Sequence, residues 1–236
     1  MQKVSIAIPA YNEENRLPQS LEKISTFIKN HPELEIELIV IDDGSKDKTW
    51  EVIQNSPIIN KSAQNSPNIG KAATLRKAVA MANNDWVYLC DADLSTPIEE
   101  LLNFLEFAKN YDCVIGSRAL DESLVETSLL RKLLGRFGNL LINLLLGLNV
   151  KDTQCGFKLL GPKSKQLFLK TQIKRWGFDF EMLYFIRRNN IEIKEIPVQW
   201  VNTADSRVTP LSYFRTLKEL FQIWWMYRIA GDVPRI

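Results

Sequence analysis

Histidine occurs once in this chain, as His31 beside Pro32. Zinc sites built on imidazole and a Ser-His-Asp triad therefore lack their parts, and His31, among polar neighbours, reads as a surface residue. The three cysteines, Cys90, Cys113 and Cys155, form no C-x-x-C pair. An odd, scattered set of this kind, two of them in apolar runs, is expected of reduced thiols in a cytosolic protein. Neither G-x-G-x-x-G nor G-x-x-x-x-G-K-[ST] is present, which removes a dinucleotide site and a P-loop. No apolar run reaches about 18 residues, so none reads as a membrane-spanning helix. Charge of one sign does not accumulate either: the formal net charge is +2 with the bases dispersed, and no nucleic-acid partner is expected. Met1-Gln2-Lys3-Val4 leads straight into a strand pattern, so no signal peptide is expected.

What is there is an ordinary globular composition: 236 residues, 45% hydrophobic and 25% charged, enough for one large α/β domain. In the first half short β-rich runs alternate with helical patterns. Strands are expected over residues 4–9, 36–41, 58–63, 86–90 and 113–116. Helices are expected over 14–29, 48–54, 69–82 and 97–110, the last with Pro97 in its first turn. Such alternation argues for a parallel sheet covered by helices on both faces. In the second half residues 128–148 form a Leu-rich helical stripe with Arg131, Lys132 and Arg136 at its start. Residues 156–160 and 191–198 read as strands, and 178–189 as a helix. Residues 211–229 read as a last helix rich in Phe214, Phe221, Trp224, Trp225 and Tyr227.

Ligands of such sheets sit beyond the carboxyl ends of the strands. Pro9-Ala10-Tyr11-Asn12-Glu13, Asp42-Asp43-Gly44-Ser45, Asp91-Ala92-Asp93 and Gly116-Ser117-Arg118 all fall there. Asp91 and Asp93, one residue apart where a buried strand enters a loop, make a hard oxygen site suited to Mg²⁺ or Mn²⁺ and through it to a diphosphate. On its own the tripeptide also fits a solvated turn; the company it keeps at one sheet edge favours a site.

Read in order, Ile6-Ala7-Ile8-Pro9-Ala10-Tyr11-Asn12-Glu13, Val40-Ile41-Asp42-Asp43-Gly44-Ser45, Asn68-Ile69-Gly70-Lys71, Asp91-Ala92-Asp93-Leu94-Ser95-Thr96-Pro97, Gly116-Ser117-Arg118 and Asp152-Thr153-Gln154-Cys155-Gly156-Phe157-Lys158 resemble glycosyltransferase family 2. The likeness is to its polyprenyl-phosphate sugar branch, the dolichyl-phosphate glucosyltransferases and mannosyltransferases, and runs from about residue 3 to residue 208. Gln154-Cys155-Gly156-Phe157-Lys158 and Arg175-Trp176-Gly177-Phe178-Asp179-Phe180-Glu181 look more like the glucosyl side.

The resemblance implies a GT-A, Rossmann-like α/β fold: a mixed, mainly parallel sheet with helices on both faces, plus amphipathic C-terminal helices. It implies a single domain over 1–236, with a nucleotide-sugar half (1–118) and an acceptor-binding, membrane-facing half (119–236). Carried over by motif, Pro9, Tyr11 and Glu13 line the nucleoside pocket, with Asp42 near the base or ribose and Asp43 also among the donor-binding residues. Lys71 approaches the nucleotide or its phosphates. Asp91 and Asp93 hold donor and metal, with Ser95 as a further ligand. Bland readings stand beside these: Glu13 as a first-turn carboxylate, Asp42 and Asp43 as turn formers.

A sugar hydroxyl acceptor needs a general base. A phosphate monoester, with a second pKa of about 6, is already largely dianionic at neutral pH and needs cations to hold it. Arg118, Arg131 and Arg136 suit that task, although a basic start on a solvated helix face accounts for the last two as well. The implied chemistry is inverting displacement by a lipid-phosphate oxygen, with UDP-glucose as the expected donor and Mg²⁺ or Mn²⁺ as cofactor; GDP-mannose, a glycan hydroxyl acceptor, or a non-catalytic nucleotide-sugar sensor or scaffold are the alternatives. Gln172-Ile173-Lys174-Arg175-Trp176 also fits the Q-x-x-R-W pattern of processive synthases. Without the spans of that branch it reads as coincidence, with Trp176 a packing or acceptor-pocket aromatic. Two departures stand out: Gly70-Lys71-Ala72 replaces the usual Gly-Lys-Gly, and Asp205-Ser206-Arg207 replaces Gly-Ser-Lys, leaving Arg207 to supply the charge. A lipid acceptor implies work at a membrane surface, expected on its cytoplasmic face. Contact would come through the Leu-rich helix, the C-terminal helix or a membrane-protein partner; the competing reading packs both stripes on the sheet.

Overall fold

The computed structural model describes residues 1–121, 125–126, 129–201, 210–231 and 233–236, with side chains left aside at 125–126, 129–132 and 210–213. Strands β1 (Gln2–Ala10), β2 (Leu34–Asp42), β3 (Lys61–Gln64), β4 (Trp86–Leu89), β5 (Cys113–Ser117), β7 (Lys158–Leu160) and β8 (Ile193–Pro197) form one sheet in the order β3-β2-β1-β4-β7-β5-β8. Every neighbouring pair is parallel except those of β7, which runs antiparallel between β4 and β5. A small parallel pair joins β6 (Val125–Glu126) to β9 (Trp200–Val201).

Each central strand is apolar on both faces, and each face is covered. Ile6, Ile8, Val40 and Tyr88 meet helices α1 (Leu17–Asn30), α2 (Thr49–Gln54) and α4 (Glu100–Phe107) through Leu17, Leu21, Ile24, Ile53 and Phe104. Ala7, Ile39, Ile41 and Val87 meet helix α3 (Lys71–Met81) through Leu75 and Val79. The same face carries α6 (Pro162–Leu169) and α7 (Phe178–Arg188). Phe104 is fully buried and meets Tyr88 edge-on at 5.2 Å; truncating it would cost about 3–5 kcal/mol.

Helix starts depart from the sequence pattern for local reasons. Helix α1 begins at Leu17, with Pro18 in its first turn, because Asn12 turns the chain at φ 52° and the segment to Arg16 is a loop; Glu13 is therefore outside the helix rather than in its first turn. Helix α3 begins at Lys71 because Gly70 holds φ 95° and the Ile69 and Gly70 amides bond to Asp43. The third strand starts at Lys61, later than the apolar run, because the Asn60 side chain takes the Leu38 amide at 2.7 Å. Helix α6, opened by Gly161-Pro162, and the β6–β9 pair are elements the apolar spacing does not show.

Helix α5 (Leu129–Leu146) and helix α8 (Pro210–Ile223), continued by a π-helical segment over Trp224–Ile229, complete the chain. Both are apolar on two sides. Ile142 and Leu146, and Leu220, Ile223 and Tyr227, pack into the core. Leu133, Phe137, Leu140 and Leu144, and Phe214, Phe221 and Trp225, face outward, between 51% and 76% exposed. The two helices meet where the Arg228 guanidinium donates to the Leu145 carbonyl at 3.0 Å. Among the described residues no helix is long and apolar enough to cross a membrane.

Candidate active site

The loop after β1 is stitched to the loop after β2. The Asn12 amide donates to Ser45 Oγ at 2.8 Å, the Lys46 amide to Asn12 Oδ1 at 2.8 Å, and the Glu13 amide to Thr49 Oγ1 at 2.7 Å. Pro9 and Tyr11 are half-buried at this edge. The Glu13 carboxylate grips Arg16 with two bonds of 2.7 Å. Arg16 in turn stands 3.6 Å from Asp93 Oδ2. It thereby joins the site, a residue the motif reading did not single out.

At the end of β2 the paired aspartates divide their work. Asp42 is fully buried and accepts from the Ser45 amide and hydroxyl and from Gln64 Nε2 at 2.8 Å. The Asp43 carboxylate accepts the Ile69 and Gly70 amides at 2.9 Å each and Asn65 Nδ2 at 3.1 Å. Asp43 thus fixes the turn that delivers Lys71, the position a loop glycine with positive φ makes possible.

Strand β4 delivers the acidic pair. Lys71 Nζ lies 2.5 Å from Asp91 Oδ1 and 5.4 Å from the centre of the Trp176 ring. Burial works against the Lys71 ammonium, but the charges of Asp91 and Asp179 outweigh it and raise its pKa. Asp93 Oδ1 accepts from the Ser95 amide (3.1 Å) and hydroxyl (2.8 Å), so Ser95 orients Asp93 directly. Leu94 between them sits at φ 46°, a left-handed conformation costly for a branched side chain. The antiparallel β7 matters here, because its first residues lie at the carboxyl ends of β4 and β5. A Cβ on Gly156 would fall inside contact distance of Asp91 Oδ2 and 3.0 Å from its Cγ. Only glycine leaves that carboxylate its place.

Behind this layer lie two ion pairs; the motif reading gave Lys158, Asp179 and Asp152 no roles, and Arg118 that of a grip on the acceptor phosphate. Lys158, in β7 between Leu89 and Ile115, is fully buried; its ammonium donates to the Cys155 carbonyl and to Asp179 Oδ1 at 2.6 Å. Burial pushes the Asp179 carboxyl up, with Lys158 and Lys71 pulling the other way. The available signal was a lysine in an apolar strand run and an aspartate in an apolar helix, each of which must find a partner if buried. Arg118 forks onto Asp152 at 2.7 and 3.0 Å and lies 5.6 Å from the Trp200 ring centre. Burial would raise the Asp152 carboxyl, but Arg118 overrides it and holds the pKa at about 2.

Arg136 is exposed on α5. The Arg131 side chain, and Arg207 with its neighbours Asp205 and Ser206, lie outside what is described. His31 is half-exposed with Glu33 at 2.9 Å, and all three cysteines are buried free thiols. Among the described residues no group of three or more His, Cys, Asp or Glu side chains is set to hold a metal. Asp91 and Asp93 remain as a hard oxygen pair. That set fits Mg²⁺ or Mn²⁺ bound through one or two carboxylates with the rest of the shell from phosphate and water.

The architecture and this edge are those of a glycosyltransferase class of α/β fold. Glucosyl-3-phosphoglycerate synthase from Mycobacterium tuberculosis in complex with UDP superposes with TM-score 0.70 at 18% identity, over 95% of this chain and 79% of that one. Mannosyl-3-phosphoglycerate synthase from Rubrobacter xylanophilus gives 0.73 at 15% identity, over 100% and 77%. The fold is GT-A. Residues 5–164 match the family model "Glycosyl transferase family 2". A dolichyl-phosphate beta-glucosyltransferase of Trichomonas vaginalis is 34% identical over 97% of this chain and 75% of its own length; that of Homo sapiens is 31% identical over 95% and 76%. The chain belongs to glycosyltransferase family 2 and is a glycosyltransferase.

Proposed function

We propose that the protein transfers glucose from UDP-glucose to a polyprenyl phosphate such as dolichyl phosphate, with inversion, on the cytoplasmic face of a membrane. The observation that carries this reading is the commitment of the carboxylates at the sheet edge. Asp91 is engaged by Lys71, Asp93 by Ser95 and Arg16, Asp152 by Arg118 and Asp179 by Lys158. Each of these carboxylates already has a partner in place, and an acceptor that arrives as a phosphate dianion needs no general base. The similarity to dolichyl-phosphate beta-glucosyltransferases points the same way.

In this reading residues 1–118 bind the donor and 119–236 face acceptor and membrane. Pro9, Tyr11 and Glu13 line the nucleoside, Asp42 reaches the base or ribose, and Asp43 acts by holding the Lys71 turn. Lys71 steadies the diphosphate, and Arg207 is proposed to add charge there. Asp91 and Asp93 would hold Mg²⁺ or Mn²⁺, with Ser95 setting Asp93. When bound, such an ion supplies Lewis-acid stabilisation to the departing nucleoside diphosphate. Arg118, Arg131 and Arg136 are the proposed grip on the acceptor phosphate; Arg118 would present the edge that Asp152 leaves. The outward apolar stripes of α5 and α8, with Arg136, Arg215 and Lys218 among them, suit a lipid interface. A membrane-protein partner would compete for the same stripes.

The test is a donor-by-acceptor panel. UDP- and GDP-sugars are crossed with a polyprenyl phosphate and with free sugars, with Mg²⁺, Mn²⁺ or chelator. An acid-labile lipid-linked glucose formed from UDP-glucose is the expected product. Transfer to a sugar hydroxyl and none to the phosphate would move the enzyme to another branch, and mannose from GDP-mannose would change the donor.

A further inference from the structure

Each carboxylate of the acidic pair already has a basic partner. Lys71 Nζ sits on Asp91 Oδ1 at 2.5 Å, and Arg16 faces Asp93 Oδ2 at 3.6 Å while Glu13 holds its other edge at 2.7 Å. The first is a tight pair on an oxygen that a divalent ion would coordinate. The second is longer than a hydrogen bond and is electrostatic contact only. Both basic groups have an alternative anchor. Lys71 lies against the Trp176 ring at 5.4 Å and feels Asp179, and Arg16 is steered by Glu13. They can leave the pair without losing every partner.

Formal charge gives the consequence. Glu13, Asp91, Asp93, Arg16 and Lys71 together carry one net negative charge. A divalent ion alone would leave the cluster net positive, with two cations crowded on the same oxygens. An ion arriving with the diphosphate of a sugar donor restores the original balance. The protein's ligand set makes the same demand, because two carboxylates leave most of an octahedral shell to phosphate and water.

We propose that Arg16 and Lys71 are exchangeable counter-ions of the Asp91/Asp93 pair: in the free enzyme they neutralise it, and on donor binding they yield the carboxylates to a divalent cation and close on the diphosphate. Ion and nucleotide then bind as one unit. Arg16 becomes a donor-positioning residue, held for that purpose by Glu13. The inference rests on the reading of Asp91 and Asp93 as the ion site.

The experiment titrates the 236-residue chain with Mn²⁺ and follows the free aquo-ion signal by electron paramagnetic resonance, with and without UDP. Wild type is expected to bind Mn²⁺ weakly alone and at least tenfold more tightly with UDP; UDP affinity should rise by the same factor with Mn²⁺, as linkage requires. Lys71→Gln and Arg16→Gln should each tighten Mn²⁺ binding in the absence of UDP and shrink the UDP enhancement, while Lys71→Arg keeps the wild-type pattern. Circular dichroism and melting curves confirm that each variant is folded. Asp91→Asn separates the two levels of argument. If it abolishes Mn²⁺ binding while Lys71→Gln and Arg16→Gln leave ion affinity and coupling unchanged, the counter-ion role is overturned and the ion site stands. If Mn²⁺ binding ignores Asp91→Asn, the ion site falls and this inference with it.

Discussion

Glu219 of helix α8 accepts the backbone N–H of Gly177 at 2.7 Å. That bond joins the C-terminal helix to the segment 172–177. The other end of the segment is held by Glu181, which accepts the Gln172 and Ile173 amides at 2.9 Å and the Tyr227 hydroxyl at 2.7 Å. The Lys174 carbonyl accepts the Ala72 amide at 3.1 Å, and Trp176 flanks Lys71. The Q-x-x-R-W stretch is thus a strut between the last helix and the Lys71 turn. Glu219→Ala should cost about 1–3 kcal/mol through the unpaired amide and weaken nucleotide binding. Urea denaturation and a nucleotide titration measure both, and an unchanged nucleotide affinity would show that the strut transmits nothing to Lys71.

Gly156→Ala places a methyl group against the Asp91 carboxylate. The carboxylate must shift from the place where it would hold the ion, so turnover should fall by roughly a hundredfold, in the range of one lost transition-state electrostatic contact. The melting temperature should move little, since a side-chain rotation relieves the clash. Steady-state kinetics beside a thermal melt decide it, and near-normal turnover would refute the close packing.

The Lys158–Asp179 pair is buried between strand and helix. Asp179→Leu alone strands a buried ammonium and should destabilise by about 3–5 kcal/mol. The double variant Lys158→Met/Asp179→Leu should recover much of that loss, because no charge is left unpaired. A double-mutant cycle in denaturant reads the coupling, and strictly additive losses would contradict it.

Asp152 carries the pH prediction. Its folded pKa, about 2, lies below the ordinary value of 3.8, so the folded state binds the proton less tightly than the unfolded chain. The stabilisation is complete above about pH 5, declines as pH falls, and is gone below pH 2. It amounts to roughly 2 kcal/mol, an order-of-magnitude conversion of the shift. Asp152→Asn should flatten this part of the acid-stability curve, whereas an unchanged acid limb would assign it to other groups.

Phe137, Leu140 and Leu144 are 68%, 65% and 74% exposed on one side of α5. Replacing Phe137 and Leu140 by Ser should leave the melting temperature within about 1 °C, because neither supports the core. Binding to vesicles containing anionic lipid should drop at least tenfold. Co-sedimentation measures this, and undiminished binding would locate the lipid contact elsewhere.

The sheet edge was legible from the chain because strand periodicity and loop composition are local properties. Pro9 to Glu13, Asp42-Asp43 and Asp91-Ala92-Asp93 each follow an apolar run, and parallel topology sends such loops to one side. The α/β class, the strand–helix alternation and the place of Asp91-Ala92-Asp93 at the sheet edge followed without coordinates. Helix starts did not, because Asn12 and Gly70 adopt positive φ in response to partners on other loops. Arg16 carried no motif signal; its place beside Asp93 depends on the Glu13 fork.

By itself the sequence determined which residue types stand at the ends of which strands, and therefore that an oxygen-rich edge exists. Tertiary structure alone decided that β7 enters antiparallel, setting Gly156 against Asp91 and burying Lys158 on Asp179. It also decided that α5 and α8 keep an apolar face outward after filling the core with the other. The reason is range. Periodicity and turn chemistry act over a few residues, whereas pairings such as Lys71–Asp91 and Glu219–Gly177 depend on which distant segments the packed sheet brings together.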